Sequence, residues 1–151
     1  MNPLETDQLT LKHIHLRIDS TTPAETVLAW FEALNQPPLD DRVLWWQCQT
    51  VLKEVFDNVV CHAHEHLPPN TPIELEAVLQ SQQIILRVWD RGPVFDLQQK
   101  LRELPELEEN DQDHGRGLKI IAKIADHLSY TQTEDQRNCF LFIKKFSVPV
   151  T

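Results

Sequence analysis

Along residues 44–66, LWWQCQTVLKEVFDNVVCHAHEH, the apolar positions Leu44, Cys48, Val51, Leu52, Val55, Val59 and Ala63 recur at intervals of three and four. That interval is the period of one buried helix face. The segment therefore predicts a long central helix, capped by Asp40 or Asp41 and stopped by Pro68 and Pro69. Glu54 and Asn58 stand four apart on a second stripe, so a carboxylate and an amide point the same way beside the apolar face. Such a pair reads either as a polar helix flank or as one wall of a ligand site. The helix alone does not choose.

The same reading places the other elements around this helix. Residues 9–18, LTLKHIHLRI, alternate apolar and polar with one phase slip near Lys12 and predict a strand. Ser20, Thr21 and Thr22 before Pro23 signal a helix entry; Val27, Leu28, Trp30, Phe31 and Leu34 then form an apolar face as far as Pro37 and Pro38. Two strands, 73–79 and 84–90, flank the polar turn 80–83 and read as a hairpin. A loop follows over 95–113, with a short helical piece around 97–104. It carries seven acidic residues against two basic ones and is expected to be more mobile than packed. Helix returns at 115–127, with Leu118, Ile121, Ala122 and Ala125 on one face, and strands 128–133 and 138–146 close the chain. This order predicts a single α+β domain over residues 1–151: a two-layer sandwich of one mixed, mainly antiparallel sheet with the helices on one face.

Composition narrows the function. The formal net charge is −9 and no Lys/Arg-rich run offsets it, so a nucleic-acid backbone would meet net repulsion. The first residues are polar, with no basic stretch leading into an apolar one, and no apolar run reaches the roughly 18 residues of a membrane span. Cys48, Cys61 and Cys139 are widely spaced within apolar patterns and predict buried, reduced thiols. A cytoplasmic protein without membrane or direct nucleic-acid partners is expected. Ordinary usage would supply about ten glycines in this length. The chain has three, Gly92, Gly115 and Gly117, all in two short loops, where the backbone needs a positive φ or close approach to something.

Those glycines belong to two of three motifs that stand in fixed order: E-x-x-x-N at Glu54 and Asn58, D-x-G at Asp90 and Gly92, and G-x-G at Gly115 and Gly117. Asp90 ends a run of apolar residues before a glycine turn. Its carboxylate would be held at a strand end, able to accept from the exocyclic amine of a purine; equally, Asp before Arg-Gly is a common turn former. Gly115 and Gly117 open a helix, whose free N–H groups and dipole suit a phosphate, although neither a Walker A nor a G-x-G-x-x-G pattern is present. Magnesium on a nucleotide keeps several waters, so the single amide oxygen of Asn58 suffices. Glu54, one turn earlier, is placed to accept a hydroxyl proton.

VLKEVFDNVVCHA, VWDRGPVFD and HGRGLKII resemble the N, G1 and G2 boxes of the Bergerat-fold, histidine kinase-like ATPases. The short lid over about 96–113, the G-P-x-F-D form and the single domain are most similar to the anti-sigma factor serine/threonine kinases of bacterial partner-switching systems. The resemblance covers nearly the whole chain, including the closing strands with Asn138 near the last turn. It implies ATP and Mg2+ as cofactors, Glu54 as catalytic base and Asn58 as magnesium ligand. Asp90 would hold the adenine amino group, with Gly92 allowing close approach, and Gly115, Arg116 and Gly117 would lie at the phosphates. Implied partners are an antagonist of the sulfate-transporter/anti-sigma-antagonist fold, phosphorylated on serine or threonine, together with a sigma factor and a second copy of the chain. Val94 stands where sporulation-type kinases have the last glycine of D-x-G-x-G, and the lid is acidic. Both leave a second reading: a catalytically weak nucleotide-sensing or protein-binding module of the same fold.

His62, His64 and His66 would share a face on a strand, but on a helix they diverge by about 200° per two residues. His62 matches a histidine common in the N box and is expected to be structural, with His64 and His66 facing solvent or the helix C-terminal dipole. Trp30, Phe31, Trp45 and Trp46 are expected to pack the core and its margin, while an exposed Trp would instead mark a partner surface, a choice the sequence alone does not make.

Overall fold

The computed structural model describes residues 9–36, 39–94, 96, 97, 99, 102 and 116–146. In chain order they form β1 (Thr10–Ile18), α1 (Ala24–Phe31) with a 3-10 turn (Glu32–Asn35), and α2 (Arg42–Asn58) continued by a π turn (Val59–Ala63). Then come β2 (Ile73–Gln80), β3 (Gln83–Asp90), α3 (Arg116–Ile124), β4 (His127–Gln132) and β5 (Asn138–Lys145). The strand order is β1-β2-β3-β5-β4. Every pairing is antiparallel, where the element order predicts a mixed, mainly antiparallel sheet. The short β2–β3 and β4–β5 connections force antiparallel neighbours, and β3 joins the two hairpins in the same sense. The phase slip near Lys12 is a real irregularity: the β1–β2 register shifts between Thr10 and Lys12.

One face of the sheet carries the helices. Ile73, Leu75, Ala77 and Leu79 of β2, with Ile84, Leu86 and Val88 of β3, meet the buried face of α2: Leu44, Trp45, Cys48, Val51, Leu52, Val55 and Phe56. Asp41, not Asp40, caps α2, its Oδ1 accepting the Leu44 N–H at 2.9 Å. This cap satisfies one of the amides that a helix start leaves without a partner. Phe31 at the end of α1 is fully buried and stacks on Trp45, ring centroids 4.3 Å apart and planes 7° from parallel. Glu32 Oε1 accepts from both Trp45 Nε1 and Gln49 Nε2 at 2.9 Å, so the polar edge of this aromatic pair is also satisfied. Helix α3 packs on α2 and buries Ile121. It stops at Ile124, short of the expected 127, because the Asp126 N–H already bonds Ile143 O and His127 has entered β4.

Two expectations about side chains need correcting. Cys48 is buried, which pushes its thiol up to about 12, and half-buried Cys139 rises to about 11 for the same reason, but Cys61 is exposed. It lies in the π turn, where the α-helical periodicity used to infer burial no longer applies. Trp46 is 63% exposed, on the outer side of α2 from Trp45. No helix of the described residues is long and apolar enough to cross a membrane. The acidic segment expected to be mobile lies mostly outside the described residues; within it Leu97, Gln99 and Arg102 are helical and Asp96 Oδ1 accepts the Gln99 N–H at 3.1 Å.

Truncating the buried ring at the α1–α2 contact removes both area and stacking. Phe31→Ala is expected to cost about 3–5 kcal/mol, read in urea denaturation as a lowered midpoint with an unchanged slope.

Candidate functional site

Helix α2 carries Glu54 and Asn58 to its C-terminal end, both half-buried and one turn apart. Directly after Asn58 the backbone widens into the π turn, closed by His64 N–H to Val59 O at 2.8 Å. Single π turns inside helices mark places where the chain has traded regularity for side-chain placement. Here the consequence falls on His64, which is 2% exposed although α-helical geometry predicts a solvent-facing ring. Its Nε2 accepts the Arg91 N–H at 2.8 Å. His62 and His66, by contrast, are exposed, so the histidine that the fold buries is His64 rather than His62.

Just beyond Arg91, a Cβ added to Gly92 would stand 2.2 Å from Ala63 O and 2.8 Å from Ala63 C. No side chain fits against that carbonyl. The end of α2 and the end of β3 are therefore joined twice, by a ring-to-backbone hydrogen bond and by backbone contact at a glycine. This brings the turn after Asn58 against the D-x-G motif.

Asp90 itself is 2% exposed. Its Oδ1 accepts from Gly92 N–H and from Asn138 Nδ2, each at 2.9 Å, and its Oδ2 accepts from the Tyr130 hydroxyl at 2.8 Å. Asn138 Nδ2 also donates to Gly92 O at 2.7 Å. Burial, reinforced by the Asp90 carboxylate, pushes the Tyr130 hydroxyl far above the ordinary tyrosine range, so it remains a donor. A carboxylate offers about four acceptor positions. Among the described residues three are taken, and one on Oδ2 is left. Two buried polar atoms nearby lack a partner among the described residues, His64 Nδ1 and Asn138 Oδ1. Buried polar atoms without a partner mark a place where a water or ligand would complete the arrangement.

Of the residues singled out from sequence, Asp90 and Gly92 lie in this network and Asn58 immediately precedes the turn packed against it. Arg116 and Gly117 form the first turn of α3, and Gly115 lies outside the described residues. Sequence reasoning missed His64 and Tyr130 and noted Asn138 only for its position. Tyr130 is the chain's single tyrosine and shares the inward phase of β4 with Leu128, while Asn138 stands in phase with the buried Phe140 and Phe142. A polar residue in an apolar phase was the available signal.

A profile of the histidine kinase-like ATPase domain matches residues 19–144. The chain belongs to the histidine kinase-like ATPase family. Solved structures share its fold. One describes the RsbU and RsbW domains of Rv1364c from Mycobacterium tuberculosis, with TM-score 0.64 and 16% identity over 93% of this chain and 35% of that one. Another is the SiaB-SiaC complex from Pseudomonas aeruginosa, with TM-score 0.63 and 14% identity over 93% of both chains. The chain thus spans about a third of the Mycobacterium chain that it resembles. No curated protein matches it. Within this ATPase domain, Glu54, Asn58, Asp90 and Gly92 all fall inside the matched span.

Two outcomes follow from the α2–β3 junction. Gly92→Ala is expected to destabilise by about 1–3 kcal/mol, the range for forcing extra atoms into a filled space, measured by chemical denaturation. His64 must be neutral to accept the Arg91 N–H, and burial, aided by Arg91 against the opposing pull of Asp90, holds its pKa below 6.5. The unfolded ring therefore takes up a proton before the folded one does. Stability should stay level above about pH 6.5 and fall as pH drops from there toward the depressed folded value. In His64→Gln that slope should shrink.

Proposed function

We propose that this histidine kinase-like ATPase domain is an anti-sigma-factor-type serine/threonine kinase, which binds ATP-Mg2+ and phosphorylates an antagonist protein in a bacterial partner-switching system. The observation that carries the reading is the joined end of α2 and β3, which sets the turn after Asn58 against Asp90 and Gly92 within a nucleotide-binding family. The donor set fits the cofactor. One acceptor position of Asp90 suits an exocyclic amine, and His64 Nδ1 and Asn138 Oδ1, without a partner among the described residues, offer a donor and an acceptor beside it. Asn58 would give one oxygen to magnesium, an ion that usually keeps several waters and needs few protein ligands. Arg116 and Gly117, at the start of α3, would face phosphate through free N–H groups and the helix dipole.

ATP supplies the phosphoryl group. Glu54 would accept the proton of the incoming serine or threonine hydroxyl as its oxygen bonds to the γ-phosphorus and ADP departs. The structurally similar SiaB was solved with SiaC, and the similar RsbW domain beside an RsbU domain; both support a protein partner for this chain. An antagonist of the sulfate-transporter/anti-sigma-antagonist fold is the proposed substrate, with a sigma factor as second partner, a homodimer as the working assembly and the cytoplasm as its location.

One observation favours a second reading. Asp90 is nearly inaccessible and already holds three internal donors, as expected of a binding module that keeps the fold and does little catalysis.

A thermal-shift titration separates the two. For the kinase, ATP at a hundred times its dissociation constant should stabilise the chain by about 2.7 kcal/mol, with a magnesium-dependent part lost in Asn58→Ala. Glu54→Ala should keep the nucleotide shift while losing phosphoryl transfer to a cognate antagonist. No shift at millimolar ATP would make the nucleotide-independent module the better account.

A further inference from the structure

The sheet face turned away from the helices carries a cluster that the nucleotide reading does not use. Residues two apart on a strand point to the same face, so β1 places His13 and His15 side by side, their ring centroids 4.5 Å apart. Glu76 of β2 lies directly opposite His15 in the antiparallel register and diagonal to His13, which pairs with Val78. Glu76 Oε2 stands 2.9 Å from His13 Nε2 and 3.7 Å from His15 Nε2. One ligand atom from each of the three residues lies within 4.8 Å of the other two.

We infer that His13, His15 and Glu76 form a binding site for a divalent transition-metal ion, zinc foremost. Ligand atoms about 2.1 Å from a tetrahedral centre lie roughly 3.4 Å from one another. The two carboxylate-to-imidazole separations, 2.9 and 3.7 Å, bracket that value, so small side-chain rotations admit the ion. Two imidazoles and a carboxylate suit zinc and not magnesium or calcium, which take oxygen ligands. The carboxylate is also held in place: Arg87 of β3 stands opposite Glu76 and its Nη1 donates to Oε1, leaving Oε2 to the histidines. Hydrogen-bonded support of a ligating carboxylate is the usual second layer of a metal site.

The two histidines are exposed and reachable from solvent. Three protein ligands leave a fourth position for water or an added group, and His15 also borders a hollow of about 320 Å³ shared with Arg17, Glu74, Trp89 and Arg137. Because β1 is an edge strand, a bound ion would tie it to β2.

The test is zinc titration of the tag-free full chain, followed by competition with a chromophoric chelator and by thermal shift. One zinc per chain and a rise in melting temperature are expected. His13→Ala and His15→Ala, both at exposed positions that should leave folding intact, should each weaken binding at least tenfold. A chain carrying His62→Ala with His66→Ala should bind as the parent does. Cobalt in place of zinc should give the visible absorption of a tetrahedral centre, lost in His15→Ala. Absence of zinc binding with the metal in large excess, or binding that survives His13→Ala with His15→Ala, would overturn the site and leave a plain His13–Glu76 hydrogen bond.

Discussion

A carboxylate taken out of water must find donors within the fold or lose its charge. Asp90 is the group that imposes this demand, and much of the architecture around the candidate site answers it. Its donors come from three places: the Gly92 amide two residues on, the Asn138 amide at the start of β5, and the Tyr130 hydroxyl on β4. β3 and β5 must pair in the register that sets Asp90 opposite Asn138, and β4 must pair with β5 so that Tyr130 lies opposite Phe140. Slipping either ladder by one residue would turn those side chains to the other face. The carboxylate thus acts as a register lock for three strands as well as a candidate ligand-binding group.

Helix α2 is tied to the same point from the other layer. A regular α-helix through residue 66 would have sent His64 outward; the π turn sends it inward to the Arg91 amide, while Gly92 lets the Ala63 carbonyl close against the strand end. Close approach at Gly92 is therefore made within the chain. This gives the scarce glycine a structural reason that holds with or without a nucleotide, and it transmits the position of β3 directly to the turn after Asn58. The two faces of the sheet then have different characters. One holds the helices and the Asp90 network; the other carries charged side chains, with Glu74, Glu76, Arg87 and Arg137 in ion pairs around a small apolar cluster of Val78, Ile85 and Ile143.

Element types were legible because each obeys a local period. The three-and-four spacing of α2, the alternation of β1 with its slip near Lys12, and the hairpin turns were all readable from neighbours a few residues apart. The three motifs were legible for the same reason. What escaped was any feature in which distant residues share a demand. Tyr130 and Asn138 carry no local sign that they serve Asp90, and His64 was misplaced because a π turn leaves no mark in a hydrophobic period. The strand spacing His13-Ile14-His15 was in plain view, but its partner Glu76 sits on another strand, and only the register joins them.

The chain by itself determined which stretches become helix or strand, which faces are apolar, and where its three glycines fall, since these follow from propensity and period within one segment. Tertiary structure decided the rest: that all the strands run antiparallel to their neighbours, that His64 rather than His62 is buried, that Asp90 is closed in by three donors, and that two histidines and a glutamate converge on the open face. Such facts depend on hydrogen-bond satisfaction and strand register between segments tens of residues apart, which no local pattern encodes.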